Sequence, residues 1–230
     1  LINAQNGVEV GTQIQMRYIE KFQKPFAIVI NQVDHEKANI EHVLENIKSF
    51  IGNKAVAIQF PVETGANFNS IIDIVKMKML TYKDENGKAT ISDIPANLKD
   101  HAEELRNALI EAAAENDETL MEKFFEQGTL EEEEIARGLK LGIVNNSLFP
   151  ILFTSAKKNI GIDRLMEFIG TSMPSPAEVP PMKTVDGKEI KTDPNGPAIA
   201  FVFKTSTEQH IGEINYFKVA SGELKESIDL

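Results

Sequence analysis

Phe26-Ala27-Ile28-Val29-Ile30-Asn31-Gln32-Val33-Asp34 decides the fold. Five apolar residues are too few for a helix. With a polar loop directly behind them, they read as a short strand buried on both faces, the kind found in parallel sheets. A second stretch repeats the form: Ile151-Leu152-Phe153-Thr154, then Ser155-Ala156-Lys157. In an open parallel α/β sheet, ligands sit beyond the carboxyl ends of the strands, so two such loops can converge on one ligand.

The residue types say which ligand. The Asp34 carboxylate can accept two adjacent N–H groups as a fork, and the backbone N–H of Ala156 can donate to a carbonyl oxygen. Guanine presents that pattern. Adenine presents a different donor and acceptor order and would leave the carboxylate unpaired. Taken alone, Asn31 and Asp34 also fit a strand-ending turn with an Asx cap. The Ser155 loop, in the right order behind them, tips the reading to a base site.

Composition bounds the rest. The chain has 230 residues, 42% hydrophobic and 26% charged, as in ordinary globular proteins. It has no cysteine, which excludes a disulfide framework and thiolate chemistry and agrees with a cytoplasmic location. No apolar run has the length of a membrane span and no signal-peptide pattern opens the chain, so no membrane partner is expected. The formal charge of −11 argues against direct sequence-specific contact with nucleic acid. Much of the acidity lies between Lys99 and Lys140, with 13 Asp and Glu against 5 Lys and Arg, a net of −8. The chain starts at Leu1 and ends at Leu230 after strand-like sequence, as if cut from something longer.

Periodicity divides the chain. Leu1 to Ala4 resembles a strand end, and Gly11 to Phe22 is helix-like. Ile40 to Ile51 is an amphipathic helix with Val43, Leu44, Ile47 and Ile51 on one face. Val56, Ile58 and Phe60, and then Val75, Met77 and Met79, alternate as half-exposed strands do. Asp84-Glu85-Asn86-Gly87 predicts a hairpin turn returning through Ala89 to Ile94. Helices are expected from Leu98 to Ala114, with Leu105, Leu109 and Ala112 inward, and from Asp117 to Gly128, holding Leu120, Phe124 and Phe125. A third should open on a Thr129 and Glu132 capping box and bury Ile135, Leu139 and Ile143. After the Ser155 loop a helix carries Ile162, Leu165, Met166 and Ile169. A proline-rich linker then leads to two alternating strands, Ala198 to Phe203 and Glu213 to Val219.

In this order the chain resembles the elongation factor G family of translational GTPases. The likeness includes Ala4-Gln5-Asn6-Gly7-Val8-Glu9, Asn31-Gln32-Val33-Asp34 and Ile71-Ile72-Asp73-Ile74-Val75-Lys76-Met77-Lys78. It continues through Leu109-Ile110-Glu111-Ala112-Ala113-Ala114, Ser155-Ala156-Lys157-Lys158-Asn159-Ile160-Gly161, Pro174-Ser175-Pro176 and Gly212-Glu213-Ile214-Asn215-Tyr216-Phe217.

The resemblance implies an α/β fold: an incomplete P-loop NTPase-type G domain with a parallel sheet, an α+β inserted subdomain, and the first strands of a β-barrel. The expected boundaries are 1–54 and 147–176 for the G domain, 55–146 for the insert, 177–196 for the linker and 197–230 for the barrel. It implies GTP or GDP as ligand, with Mg²⁺ in the parent protein, and the ribosome as partner. Asn31, Gln32, Asp34, Ser155, Ala156 and Lys157 are the guanine-binding candidates: Asn31 organising its loop and bracing the Ser155 loop, Asp34 reading the N–H groups, Ala156 donating to the carbonyl, Lys157 flanking the base. The acidic helices 100–127 are assigned to a ribosomal stalk protein or, equally, to a solvated face over a small core.

Departures matter as much. The family's usual lysine at the second motif position is Gln32 here, which is shorter and uncharged. The parent is therefore either an active GTPase or an altered paralogue that binds ribosomes with weak or no GTP hydrolysis. A ribosome-protection or release-factor type of translational GTPase is also open. No Gly-x-x-x-x-Gly-Lys-[Ser/Thr] occurs; Gly87-Lys88 and Gly187-Lys188 lack the other glycine and the hydroxyl residue. No catalytic residue is assigned, and the segment alone is expected to hydrolyse nothing and to bind nucleotide weakly. The Asp-x-x-Gly look-alikes at Asp84 and Asp193 sit in turns, and the four histidines, His35 and His210 among them, lack metal-ligand spacing. Thr205 to Gln209 is expected as a loop of the barrel.

Overall fold

The computed structural model describes residues 1–84 and 86–226. Contacts divide it into Leu1–Met173 and Pro174–Leu230. Glu85 lies outside the described residues, and with it part of the predicted Asp84–Gly87 turn.

The first unit begins with β1 (Ile2–Asn3), α1 (Val10–Phe22), β2 (Ile28–Asn31), α2 (Ile40–Ile51) and β3 (Ala55–Ala57). It continues with β4 (Gln59–Pro61), a 3₁₀ turn at Gly65–Asn67, β5 (Ser70–Asp73), β6 (Lys78–Tyr82) and β7 (Ala89–Ser92). Then come α3 (Ala96–Ala114), α4 (Glu118–Gln127), α5 (Glu132–Val144), β8 (Phe149–Phe153) and α6 (Ile162–Ser172). Two sheets result: a parallel one in the order β1-β2-β8-β3, and an antiparallel one in the order β4-β5-β6-β7.

The central strand β8 is buried along its whole length. Successive side chains of a strand point to opposite faces. Ile151 and Phe153 accordingly join Ile28, Ile30, Val43, Ile47 and Ile71 in one core, whereas Leu152 joins Ile58, Leu109, Ile135, Leu139, Ile143 and Phe168 in another. Helix α2 starts where Asn39 accepts the His42 N–H at 3.1 Å. Asp117 caps α4 through the N–H groups of Thr119 and Leu120, and that helix ends at Gly128 in the left-handed region.

Several sequence expectations change. Val56, Ile58 and Phe60 do not share one strand: β3 pairs with β8 in the parallel sheet, and β4 pairs with β5 in the other. Ile58 is the crossing point, donating to Ile151 O at 3.2 Å and accepting from Ile74 N at 3.1 Å. Ala55–Ala57 therefore belongs with the parallel sheet.

The Val75–Met79 alternation is a strand only from Lys78 onward, where β6 begins. Residues 74–77 form a turn, because Asp73 Oδ1 accepts the Lys76 N–H at 2.9 Å and Arg106 donates to the carbonyls of Ile74 and Val75. The α5 capping box uses Glu131 and Glu134, not Thr129 and Glu132. Phe125 is exposed. In α6 the inward residues are Arg164, Leu165 and Phe168, while Met166 and Ile169 face solvent. Arg164 is buried because it ion-pairs with Asp73 at the end of β5.

The second unit holds a short hairpin, β9 (Met182–Lys183) with β10 (Glu189–Ile190), and a long one, β11 (Ile199–Glu208) with β12 (Gly212–Ser221). Thr205 to Glu208, expected as a loop, continue β11 to a turn at residues 209–211, because Thr205 pairs with Asn215 and Thr207 with Glu213.

Candidate base-recognition site

Strands β1, β2 and β8 run parallel and end side by side, with Ile2 opposite Ile30 and Ile30 opposite Phe153. Every loop beyond their carboxyl ends therefore opens in one place. The Asn31–Asp34 loop and the Ser155–Lys157 loop meet there, and Asn31 is the joint. Its Oδ1 accepts the Ala156 N–H at 2.9 Å and the Thr154 hydroxyl at 3.3 Å. Backbone bonds reinforce the joint: Thr154 N–H donates to Ile30 O at 2.8 Å, and Val33 N–H to Thr154 O at 3.3 Å.

Each candidate residue has a distinct position. Val33 is buried and anchors its loop, which leaves its neighbours Gln32 exposed and Asp34 half-buried at the rim. Among the described residues the Asp34 carboxylate has no hydrogen-bond or ion-pair partner. A half-buried carboxylate with both oxygens open can accept two N–H donors of a ligand side by side. Ser155 is fully buried; its Oγ accepts the Lys158 N–H at 3.2 Å, so it shapes the loop from within. Reciprocal backbone bonds of 3.0 Å between Ser155 and Ile160 close that loop. Ala156 and Lys157 are exposed. The Ala156 N–H, expected to be open to a carbonyl oxygen, already faces Asn31, so it reaches a ligand only as a three-centre bond.

Four contributors escaped the sequence reading. Thr154 completes the joint. Asn3, opposite Asn31, donates from Nδ2 to Gln32 Oε1 at 2.5 Å. The 3₁₀ turn touches both loops: Gly65 N–H donates to Val33 O at 2.8 Å, and Lys158 Nζ donates to Ala66 O at 2.8 Å. A glycine between Thr64 and Ala66 and a second lysine after Ser155-Ala156-Lys157 were the available signals, and neither says which loop it will meet.

A family profile described as "Elongation factor Tu GTP binding domain" matches residues 1–175. The chain belongs to the elongation factor Tu GTP-binding domain family. Within it the chain is 34% identical over 232 residues to elongation factor G of Ureaplasma parvum serovar 3, and 34% identical over 231 residues to that of Ureaplasma urealyticum serovar 10. Each match covers 97% of this chain and 33% of the relative, so the chain spans about a third of the curated relatives' length. A crystal structure of a Thermus thermophilus protein superposes with a TM-score of 0.82 at 26% identity, covering 97% of this chain and 31% of that one. The expected α/β G-domain fold and the family resemblance are thus shown, and the family is one of GTP-binding domains.

Mg²⁺ is a separate matter. Among the described residues, no group of three His, Asp or Glu side chains is placed to hold a metal ion. The sequence also has no phosphate-loop hydroxyl residue following Gly-Lys. The donors present among the described residues do not fit the ion. Among the described residues, no helix is long and apolar enough to cross a membrane.

Proposed function

We propose that this chain is the base-reading part of an elongation-factor-G-like translational GTPase, selecting GTP and GDP over adenine nucleotides. One observation carries the reading: Asn31 locks two strand-end loops together through the Ala156 N–H and leaves the adjacent Asp34 carboxylate without a partner. Asp34 accepts the two adjacent N–H groups of guanine. The Ala156 N–H, shared with Asn31, donates to the guanine carbonyl. Gln32 and Lys157 lie at the exposed rim and flank the base.

Beyond the base, the proposal extends to a cytoplasmic protein that acts on the ribosome, hydrolyses GTP and promotes translocation. The names of the relatives support this extension. Contact with a stalk protein through helices 100–127 rests on their acidity and on the exposed Phe125.

Titration of the chain with GDP and XDP, followed by amide shifts, tests the base reading. Asp34→Asn exchanges one acceptor for a donor and should move preference from GDP towards XDP, which carries a carbonyl where guanine carries an amino group. An Asp34→Asn chain with unchanged GDP preference overturns the reading. For the wider proposal, GTP turnover by a protein carrying this chain should rise with ribosomes, and Asp34→Asn should abolish it for GTP and restore it with XTP.

A further inference from the structure

Gln32 is held in an unusual way. Its φ of 65° lies in the left-handed region, which is unfavourable for a non-glycine side chain. The conformation is fixed on both flanks. The His35 N–H donates to Gln32 O at 3.0 Å, and the side-chain carbonyl is gripped by Asn3.

The direction of that grip is forced. Asn3 Oδ1 already accepts the N–H groups of Gln5 at 2.8 Å and Asn6 at 3.3 Å. Its amide therefore presents only NH₂ toward position 32, and position 32 must supply an acceptor. Lysine has three donors and no acceptor, so a lysine here would meet a donor. Turning the Asn3 amide round to receive it would strand the two backbone N–H groups that hold the loop behind β1.

The polar contacts run across three strand ends in series. The loop at Gln5 and Asn6 is tied to Asn3, Asn3 to Gln32, and Asn31, next in chain, to Ala156 and Thr154. Asp34 stands two residues beyond Gln32 on the same loop.

We propose that Gln32 is a positioning residue matched to Asn3, and that this neutral amide pair, not a cation, sets the Asp34 carboxylate for the base. The inference rests on the base-recognition reading above. It makes the two positions interdependent. Asn3 with Gln32 is one working pair. Asn3→Asp together with Gln32→Lys makes another, since one carboxylate oxygen can hold Gln5 and Asn6 while the other accepts the ammonium. Gln32→Lys opposite an unchanged Asn3 is a mismatch.

The test is an amide-shift titration of the 230-residue chain with GDP and with XDP. The chains compared are wild type, Gln32→Lys, Asn3→Asp, the combination of those two, and Asp34→Asn. Gln32→Lys alone should weaken GDP binding by about fivefold, the scale of one lost hydrogen bond. The combination should recover to about the wild-type value and lose affinity on added salt more steeply than wild type, as an exposed ion pair does. A role confined to fold stability would lower the urea midpoint of Gln32→Lys and leave the GDP affinity of the folded chain unchanged, which would overturn the proposal. If Gln32→Lys alone binds GDP as well as wild type or better while Asp34→Asn still turns preference to XDP, the pairing is wrong and the base reading stands. If Asp34→Asn leaves the GDP preference in place, the base reading fails and this inference fails with it.

Discussion

Removing the Arg164 guanidinium should destabilise the Leu1–Met173 unit more than any surface change of equal size. Arg164 is 6% exposed and Asp73 is fully buried; they pair directly, joining the end of β5 to the first turn of α6. Arg164→Met keeps the apolar stem and removes the charge. Among the described residues, Asp73 would then keep the Lys76 N–H at 2.9 Å as its carboxylate's partner. A buried charge that loses its partner costs about 3–5 kcal/mol, a large share of the roughly 5–15 kcal/mol that holds a domain folded. With a urea slope of about 2 kcal/mol per M, the midpoint should fall by about 2 M. Far-UV circular dichroism during urea unfolding measures it. Asp73→Asn combined with Arg164→Met should recover most of the loss, because the amide oxygen still accepts from Lys76 and no bare charge remains. A loss under about 1 kcal/mol for Arg164→Met, or a double variant no better than the single, would refute the argument.

Gly161→Ala should destabilise by about 1–3 kcal/mol and shift the Ala156 amide resonance, since Gly161 has φ 74° and a Cβ there would sit 2.7 Å from Phe153 O; thermal unfolding and amide spectra read both effects. The Asp117 carboxyl is drawn down to about 2, first by the Thr119 hydroxyl and also by the Leu120 N–H and Arg137, with desolvation opposing. Its contribution to α4 is therefore present above the unfolded value near 4 and lost as pH falls from there towards 2, a change that Asp117→Asn should remove from a pH series of unfolding curves. Burial, and then the hydrogen bond to Asp163 at 2.6 Å, push the Tyr82 hydroxyl well above the usual phenol range. The folded protein should keep that proton while the unfolded chain ionises near 10, so stability falls as pH rises past about 10. Tyr82→Phe should flatten that fall and cost about 1 kcal/mol at neutral pH, both measured by urea unfolding.

The sequence made legible what depends on near neighbours. Strands β2 and β8 were readable because each is a short apolar run followed at once by chemistry-bearing residues. Helix α2 was readable from the apolar face of Val43, Leu44, Ile47 and Ile51, and α4 from Asp117 and Gly128, whose capping needs no distant partner. What failed depended on residues far along the chain. The Val75–Met79 pattern has the right period for a strand, but Asp73 and the remote Arg106 fold its first half into a turn. Period cannot show that β3 and β4 serve different sheets, because Val56 and Phe60 alternate identically on either side of Ile58. Four consecutive glutamates, Glu131 to Glu134, offer several registers for one capping box, and the sequence does not choose. Nothing near Arg164 in the sequence shows that it is buried, because its partner Asp73 lies 91 residues away. At the site, Asn31 and Asp34 stood out by type and spacing. Asn3 did not, because its role comes only from the register that sets it beside Asn31.

The proposed function assigns selectivity and affinity to different parts of a nucleotide site. On the proposed base reading, the groups that would tell guanine from adenine lie at the ends of β2 and β8: the Asp34 carboxylate, the N–H of Ala156, and Asn31, which accepts that N–H and joins the two loops. Nothing in the chain's sequence supplies the glycine-rich loop and lysine that hold phosphates, which are the larger source of nucleotide affinity. A chain of this kind can therefore rank bases correctly while binding each of them weakly. The ranking should survive changes that lower affinity, because the fork at Asp34 and the N–H at Ala156 discriminate by pairing and not by contact area. Gln32 belongs to the positioning side of that division. It touches Asn3 rather than a phosphate-binding element, so altering it should lower the affinity for GDP and XDP together and leave their order unchanged, whereas altering Asp34 should reverse the order.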